Sequence, residues 1–334
     1  MSKKYIFLMV SLVDELEKVA ISIRKIEKLY DIFKFVVIVP EKDINSFKNK
    51  LNDNKKVEIL NENKIVNKKD FFELCNIHLK NKKGFKYFRK GWYYQQVLKL
   101  TYSLDSKFFT NHNLVMWDAD TIPLKKIKFF NKRNEPISYG SFYEFHKPYF
   151  DYNKIIFGET YKPFNFAATM QFYALNIEDR RDLGNLLKKF NNKHKIHSSK
   201  LFIGSAIIKG IELKDKSIPI NGQLVSEQEI VGAFIFKKYK RMQEDQKIIK
   251  FFRFDVDGYL NYLQTSILYF LNYKHITYEW HYDLRVRQSY KHLLKCIIRD
   301  LIISNYTDYV KFNKVINSMH KIYIQIKLKL KKLF

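Results

Sequence analysis

Two carboxylates one residue apart, Asp118 and Asp120, close an apolar run reading Leu114-Val-Met-Trp117, and Thr121-Ile122-Pro123 follows them. An apolar run of this length with a proline close behind has the pattern of a buried strand. Carboxylates at i and i+2 around a strand end can both approach one hard cation, and Mg²⁺ or Mn²⁺ prefers oxygen ligands shared with phosphates. A cation held there would neutralise a departing diphosphate. A pair of solvated turn carboxylates is the plainer reading, and the strand before and the Thr-Ile-Pro after weigh against it. A second pair, Asp255 and Asp257, follows Phe251-Phe-Arg-Phe254, a run interrupted by Arg253, and Gly258 signals a turn. That pair reads as turn or acceptor-side polar residues.

Other segments carry groups that could join such a site. Arg89 to Tyr102 predicts a helix in which Arg89, Gln96 and Ser103 are seven apart, with Trp92 and Lys99 offset by three. Polar and cationic groups then share one stripe, and Tyr94, Leu98 and Tyr102 another. Amides paired with a tryptophan suit a site-lining face better than a purely solvated one, so Arg89, Trp92, Gln96 and Lys99 are candidate binding residues. In Phe164-Asn-Phe-Ala-Ala-Thr-Met-Gln171, the small residues Ala167 and Ala168 lie among amides and aromatics. They would let a sugar ring approach the backbone, which makes Asn165 and Ala167 candidates; close core packing explains them equally well. Ser226 and Glu229 have the spacing of a helix capping box, which gives Glu229 a local structural task. Glu227 has none, and a position in the first helical turn favours its ionised form, as suits a carboxylate that takes a proton from a hydroxyl nucleophile. His281 precedes a basic C-terminal stretch, and His275 competes with it for any role.

The elements that must position these groups alternate in the α/β manner. Tyr5–Leu12, Phe35–Val39, Val57–Leu60 and Asn113–Trp117 read as strands; Asp14–Leu29, Ile44–Leu51, Phe71–Leu79, Trp92–Leu104 and Ile177–Phe190 read as helices. In a doubly wound sheet ligands bind at the carboxyl ends of strands, which is where Asp118 falls. No internal repeat or low-complexity linker divides the chain. The preferred division is a main domain over 1–285, with halves of about 1–125 and 126–285, and a basic, partly helical extension over 286–334.

Composition sets the outer limits. The chain has 334 residues, is 46% hydrophobic and 16% aromatic, and carries a net charge of +27. Such a chain buries a full core and is no disordered tail. Cys75 and Cys296 are far apart and form neither a disulfide framework nor a zinc pair, as in a reducing cytosol. Lys3-Lys4 and the apolar stretch from Tyr5 resemble the start of a secretion signal, but Asp14, Glu15 and Glu17 follow without a cleavage site. No run is long enough for a transmembrane helix. Residues 285–334 hold 12 Lys/Arg against Asp300 and Asp308. Leu293, Leu294, Ile297, Ile298, Leu301 and Ile302 recur there at helical spacing. This segment fits the anionic inner face of a cytoplasmic membrane, or packs on the main domain with its lysines solvated. The charge also admits a nucleic-acid-binding protein, yet no helix-turn-helix, zinc, RNP or KH signature is present. A metal-dependent phosphoesterase would gather more carboxylates and histidines around Asp118 than the sequence places there.

Gly91-Trp-Tyr-Tyr-Gln-Gln-Val-Leu-Lys-Leu100, Met116-Trp-Asp-Ala-Asp-Thr-Ile-Pro123 and Ser226-Glu-Gln-Glu229 together resemble the bacterial nucleotide-sugar glycosyltransferases of the GT-A fold, especially those of capsule and lipopolysaccharide assembly. The resemblance spans roughly residues 5–285. It implies a Rossmann-like mixed sheet flanked by helices, a divalent metal on Asp118 and Asp120 completed by His281, and a nucleoside-diphosphate sugar donor, UDP-sugar favoured. Ser11 and Asp14, after the first strand, would meet the base and ribose, and Trp117 joins the donor-binding residues. The acceptor would be a saccharide or a lipid-linked saccharide. The His-x-x-Gly-x-x-Lys motif of one retaining branch is missing, which points to an inverting enzyme with Glu227 as base.

Overall fold

The structure is a computed structural model that describes residues 4–140, 146–158, 168, 171–196, 201–214, 217–219, 222–239, 247–248, 251–255, 262–270 and 273–279. The extension from 286, together with Asn165, Ala167, Asp257 and His281, lies outside the described residues. A five-stranded sheet runs through the middle: β1 (Tyr5–Val10), β2 (Ile32–Val39), β3 (Val57–Asn61), β4 (Asn113–Trp117) and, after the short β5 (Thr121–Pro123) and β6 (Tyr139–Gly140), β7 (Phe172–Leu175). Its order is β3-β2-β1-β4-β7, parallel except for β7, which runs antiparallel to β4. This is the expected mixed α/β architecture with helices on both faces.

The strands read as continuous apolar runs because both faces are covered. Alternation along β1 sends Ile6 and Leu8 to one core and Phe7 and Met9 to the other. The second core is closed by α1 (Leu16–Leu29) and α2 (Ile44–Leu51); the first by α4 (Lys68–Leu79), α5 (Lys90–Leu104), α8 (Phe202–Lys214) and α9 (Glu227–Tyr239). Between these lie the short α3 (Glu62–Ile65), α6 (Lys147–Phe157) and α7 (Ile177–Lys193). The expected helix from Asp14 begins instead with a 3-10 turn over Val13–Glu15. A second sheet, β5-β10-β9, joins β9 (Phe251–Asp255) to β10 (His275–Glu279); β8 (Lys247–Ile248) pairs with β6, and α10 (Tyr262–Phe270) precedes β10. The run before the second aspartate pair, read as interrupted by Arg253, is a strand that includes Asp255 and lies in parallel register with β10; the turn expected around Gly258 lies outside the described residues.

Helix α5 is the most deeply enclosed of the helices that reach the site. The polar stripe, read from the sequence as lining a site rather than facing solvent, is enclosed: from Tyr93 to Leu104 every residue except Gln95 is buried. Gln96, Lys99 and Ser103 face polar partners inside the molecule. The carboxyl end of α5 is held by Arg180 of α7, a fully buried side chain whose Nε donates to the Ser103 carbonyl at 2.6 Å. Its Nη2 donates to the carbonyls of Tyr102 and Phe108, each at 3.1 Å. A cation at a helix carboxyl terminus complements the carbonyls that lack partners there.

Candidate active site

The sheet order places the switch point between β1 and β4: the chain winds outward from β1 through β2 to β3, then returns to the other side of β1. Ligand crevices of open α/β sheets lie there, outside the carboxyl ends of the strands. Ser11 and Asp118 leave β1 and β4 at this same end. Ser11 is buried, its Oγ donating to the Leu12 carbonyl at 3.1 Å and its N–H extending the ladder to Ile38. Asp14 is exposed just beyond, in a loop held by the Asp43 carboxylate, which accepts from the Val13 N–H at 3.3 Å.

Around Asp118 the structure assembles three distant pieces of chain. The Lys99 ammonium reaches from α5 to Asp118 Oδ1 and, at 2.9 Å, to Glu227 Oε1 at the start of α9. The side chains of Lys99 and Glu227 are each 5% exposed, so this is an ion triad withdrawn from water. Burial alone would push the Lys99 ammonium's pKa down, but the two carboxylates overcome it and hold the group above the ordinary lysine range. Burial pushes Glu227 up from the ordinary glutamate value against the pull of Lys99, and the Asp118 charge adds to the rise. Glu227 thus has structural partners, contrary to the reading of it as unengaged: the Gln96 amide oxygen accepts from its N–H at 3.0 Å.

Asp118 Oδ2 accepts from Gln228 Nε2 at 3.0 Å, and Gln228 Oε1 accepts from the Gln171 N–H at 3.1 Å. The Gln171 carbonyl in turn accepts from the Asp118 N–H at 2.9 Å. Gln171 is buried and has a φ of 63°, a left-handed conformation that costs a non-glycine residue about 1–2 kcal/mol. Such strain persists where surrounding bonds over-determine it. Tyr173 stands behind the triad, its hydroxyl 3.1 Å from Ser103 Oγ, which donates to the Lys99 carbonyl at 2.7 Å. Gln228, Gln171 and Tyr173 are absent from the sequence-derived candidates. Only Gln228, beside Glu227, carried a signal; a left-handed glutamine leaves none.

Other candidates fall elsewhere. Trp117 is fully buried in the second core, stacked on Phe172 at 5.6 Å with its Nε1 donating to the Thr121 carbonyl, so it supports the strand end and cannot touch a ligand. Even alternation along β4 sends it to the face opposite Met116. Arg89 and Trp92 pair with each other at 5.7 Å near the amino end of α5, and Trp92 is about 10 Å along the helix from Lys99. Ala168 packs its Cβ against Gly232 of α9, which selects close packing over sugar approach for that residue. Glu229 accepts from the Ala168 N–H, so its structural task reaches beyond its own helix. His275 is buried, its ring edge-on to both members of the Trp117–Phe172 stack.

Asp120 is half-buried; its Oδ1 accepts from Thr121 Oγ1 at 3.2 Å, and its carbonyl accepts from the Tyr278 N–H at 2.9 Å. The pair Asp118 and Asp120 fits a hard divalent cation in kind, both offering carboxylate oxygens. Among the described residues no group of three or more His, Cys, Asp or Glu side chains could hold a metal. Two carboxylates suit Mg²⁺ or Mn²⁺ when phosphate and water oxygens complete the shell.

Residues 10–131 match a family of unknown function, DUF6492. No curated protein matches the chain. Among solved structures the chain is similar to mouse xyloside xylosyltransferase 1 in its apo form, with a TM-score of 0.41, 10% identity and coverage of 83% of this chain and 98% of that one. It is also similar to the galactosyltransferase LgtC in complex with donor and acceptor sugar analogs, with a TM-score of 0.43, 8% identity and coverage of 87% and 95%. No helix among the described residues is long and apolar enough to cross a membrane.

Proposed function

We propose that this chain is a metal-dependent glycosyltransferase that moves a sugar from a nucleoside-diphosphate donor, UDP-sugar favoured, to a saccharide or lipid-linked acceptor in surface polysaccharide assembly. The observation that carries the reading is the convergence of Asp118, Lys99, Glu227 and Gln228 outside the carboxyl end of β4, at the switch point of the sheet. The donor's nucleoside lies along the loop of Ser11 and Asp14. Asp118 and Asp120 would hold Mg²⁺ or Mn²⁺ together with diphosphate oxygens, and His281 would be the third protein ligand. When bound, the metal supplies charge neutralisation for the leaving diphosphate. Glu227 takes the proton of the acceptor hydroxyl; burial raises its proton affinity toward what that task requires. The acceptor oxygen forms a bond to the anomeric carbon as the bond to the diphosphate oxygen breaks, which inverts that centre. The basic extension places the protein on the inner face of the cytoplasmic membrane, where lipid-linked acceptors are met.

The test is a thermal-shift screen of UDP-, GDP- and CMP-sugars with and without Mn²⁺, followed by turnover of the stabilising donor. One donor class should stabilise the protein only with metal, and Glu227→Gln should lower turnover at least a hundredfold, the size of a general-base contribution. Undiminished turnover in Glu227→Gln rejects the base, and undiminished turnover in Asp120→Ala rejects the metal.

A further inference from the structure

We infer that the amino-terminal half of α5 and the turn before it form an acceptor subsite for an anionic saccharide, with Trp92 as its platform and Arg89 and Lys86 as its counter-charges. The choice of ligand rests on the proposed glycosyl transfer, but binding alone tests it and no turnover is needed.

From Lys80 to Lys90 the chain carries Lys80, Lys82, Lys83, Lys86, Arg89 and Lys90 and no Asp or Glu. Lysines elsewhere meet carboxylates, Lys34 on Glu58 and Lys238 on Asp179 and Asp182. Here the cations sit over rings: Lys86 5.1 Å from the Tyr87 centroid, Arg89 5.7 Å from that of Trp92 and Lys90 5.0 Å from that of Phe85. Among the described residues no carboxylate pairs with any of these three. Tyr87, Arg89 and Trp92 are half-buried and keep part of their surface open. A sugar ring lays its apolar C–H face on an indole, and a carboxylate or phosphate on that sugar takes the paired N–H groups of a guanidinium. Two contacts join this face to the active site. The Tyr93 hydroxyl, next to Trp92, donates to the Gly222 carbonyl at 2.7 Å and accepts from the Leu224 N–H at 2.8 Å, and a Cβ on Gly222 would lie 3.3 Å from Arg89 Cγ. The segment fastened there leads straight to Glu227. Along α5, Trp92, Gln96 and Lys99 form one stripe about 10 Å long. Gln96 is buried; its Oε1 accepts from the Glu227 N–H, and its Nε2 has no partner. A buried donor left unpaired costs stability, and a hydroxyl of a saccharide laid on Trp92 would supply the acceptor it lacks, beside the carboxylate proposed to take the proton. A nucleic acid or a bilayer would meet the same charges and leave Gln96 unexplained.

The experiment is calorimetric titration of hexagalacturonate, a sialic acid tetramer, neutral maltohexaose and oligo(dT) into the whole chain and its Arg89→Gln, Trp92→Ala and Lys48→Gln variants. The wild type should bind the acidic saccharides about tenfold more tightly than maltohexaose, a hydrogen bond to a charged group being worth at least that factor. Arg89→Gln should lose this preference and leave maltohexaose binding within about twofold of the wild type, since a neutral sugar has no charge for the guanidinium to meet. Trp92→Ala should weaken all three saccharides about tenfold, because each loses the same apolar platform. Lys48→Gln removes an exposed charge from α2 and should change none of them, which separates local pairing from net charge. If Trp92→Ala folds poorly, Arg89→Gln decides the matter. Equal affinity for acidic and neutral saccharides, or a preference that survives Arg89→Gln, overturns this inference and leaves the proposed transferase standing. Tighter binding of oligo(dT) than of either acidic saccharide overturns it in favour of a nucleic-acid face; if no sugar nucleotide then stabilises the protein, the transferase reading falls as well.

Discussion

Gly232 is where the packing and the chemistry of this protein can be tested together. A Cβ built on it would lie 2.3 Å from the Ala168 Cβ, a separation that real side chains do not adopt. Neither group is a flexible chain end, so Gly232→Ala forces backbone apart. Alanine in a helix interior gains about 1 kcal/mol over glycine. Against this, overpacking a close contact costs about 1–3 kcal/mol. The same movement pulls the Ala168 N–H from the Glu229 carboxylate, a charged hydrogen bond worth about 1.5–3 kcal/mol. The losses exceed the gain, and Gly232→Ala should destabilise by about 2–5 kcal/mol in urea unfolding. Gly232 is five residues from Glu227, about 7 Å along α9, so a displaced helix also moves Glu227 and Gln228 away from Asp118. Turnover of the donor identified by thermal shift should fall by about a hundredfold, the scale of a misplacement near 1 Å. The companion variant Ala168→Gly removes the opposing Cβ, and the double variant should recover most of both losses. A Gly232→Ala protein that is more stable than the wild type by about 1 kcal/mol and turns over normally would refute the close contact and the coupling drawn from it.

Two further outcomes follow from buried charge. Arg180→Met leaves the carbonyls of Tyr102, Ser103 and Phe108 without this donor and should cost at least about 2 kcal/mol in urea unfolding, a stranded buried acceptor costing about 1–3 kcal/mol; a loss below about 1 kcal/mol would show that the guanidinium is dispensable. Asp179, bonded to Lys238 and Tyr239, is raised above the ordinary aspartate pKa by burial. The native state therefore binds more protons than the unfolded state just above that ordinary value, so Asp179's contribution to stability falls as pH rises through this window. Asp179→Asn should remove that slope from a denaturation series across the acid range, and an unchanged slope would contradict the shift.

The first half of the molecule was legible because its signals are local. Ile44–Leu51 and Asn113–Trp117 appear with the bounds their apolar spacing predicts, and Asp118 falls at the end of β4; Pro123, expected to end the strand, instead lies in β5 and pairs with His275 of β10. Helix α5 was found, but its surroundings were not: periodicity places Gln96 and Lys99 on one stripe without saying whether water or carboxylates face it. Trp117 illustrates the converse error, a residue drawn into the site by adjacency in sequence and sent to the core by strand alternation. Gln171 could not have been found, since its left-handed backbone is imposed by Asp118 and Gln228 from outside its own segment. What escaped the sequence in each case is a long-range pairing that no local rule encodes.

The Lys99 triad also bears on the order in which this protein folds. Lys99 and Asp118 are 19 positions apart, whereas Glu227 is 128 positions from Lys99 and Gln228 is 110 from Asp118. Loop-closure entropy must be spent before such distant contacts return anything. The first four strands can pair while α9 is still undocked, but Lys99 then lacks one carboxylate and Asp118 its amide. Docking of α9 supplies the second carboxylate of the triad and the amide on Asp118, so by loop-closure cost these contacts should form after the sheet. A chain arrested before that step would hold the paired strands with neither Glu227 nor Gln228 beside Asp118.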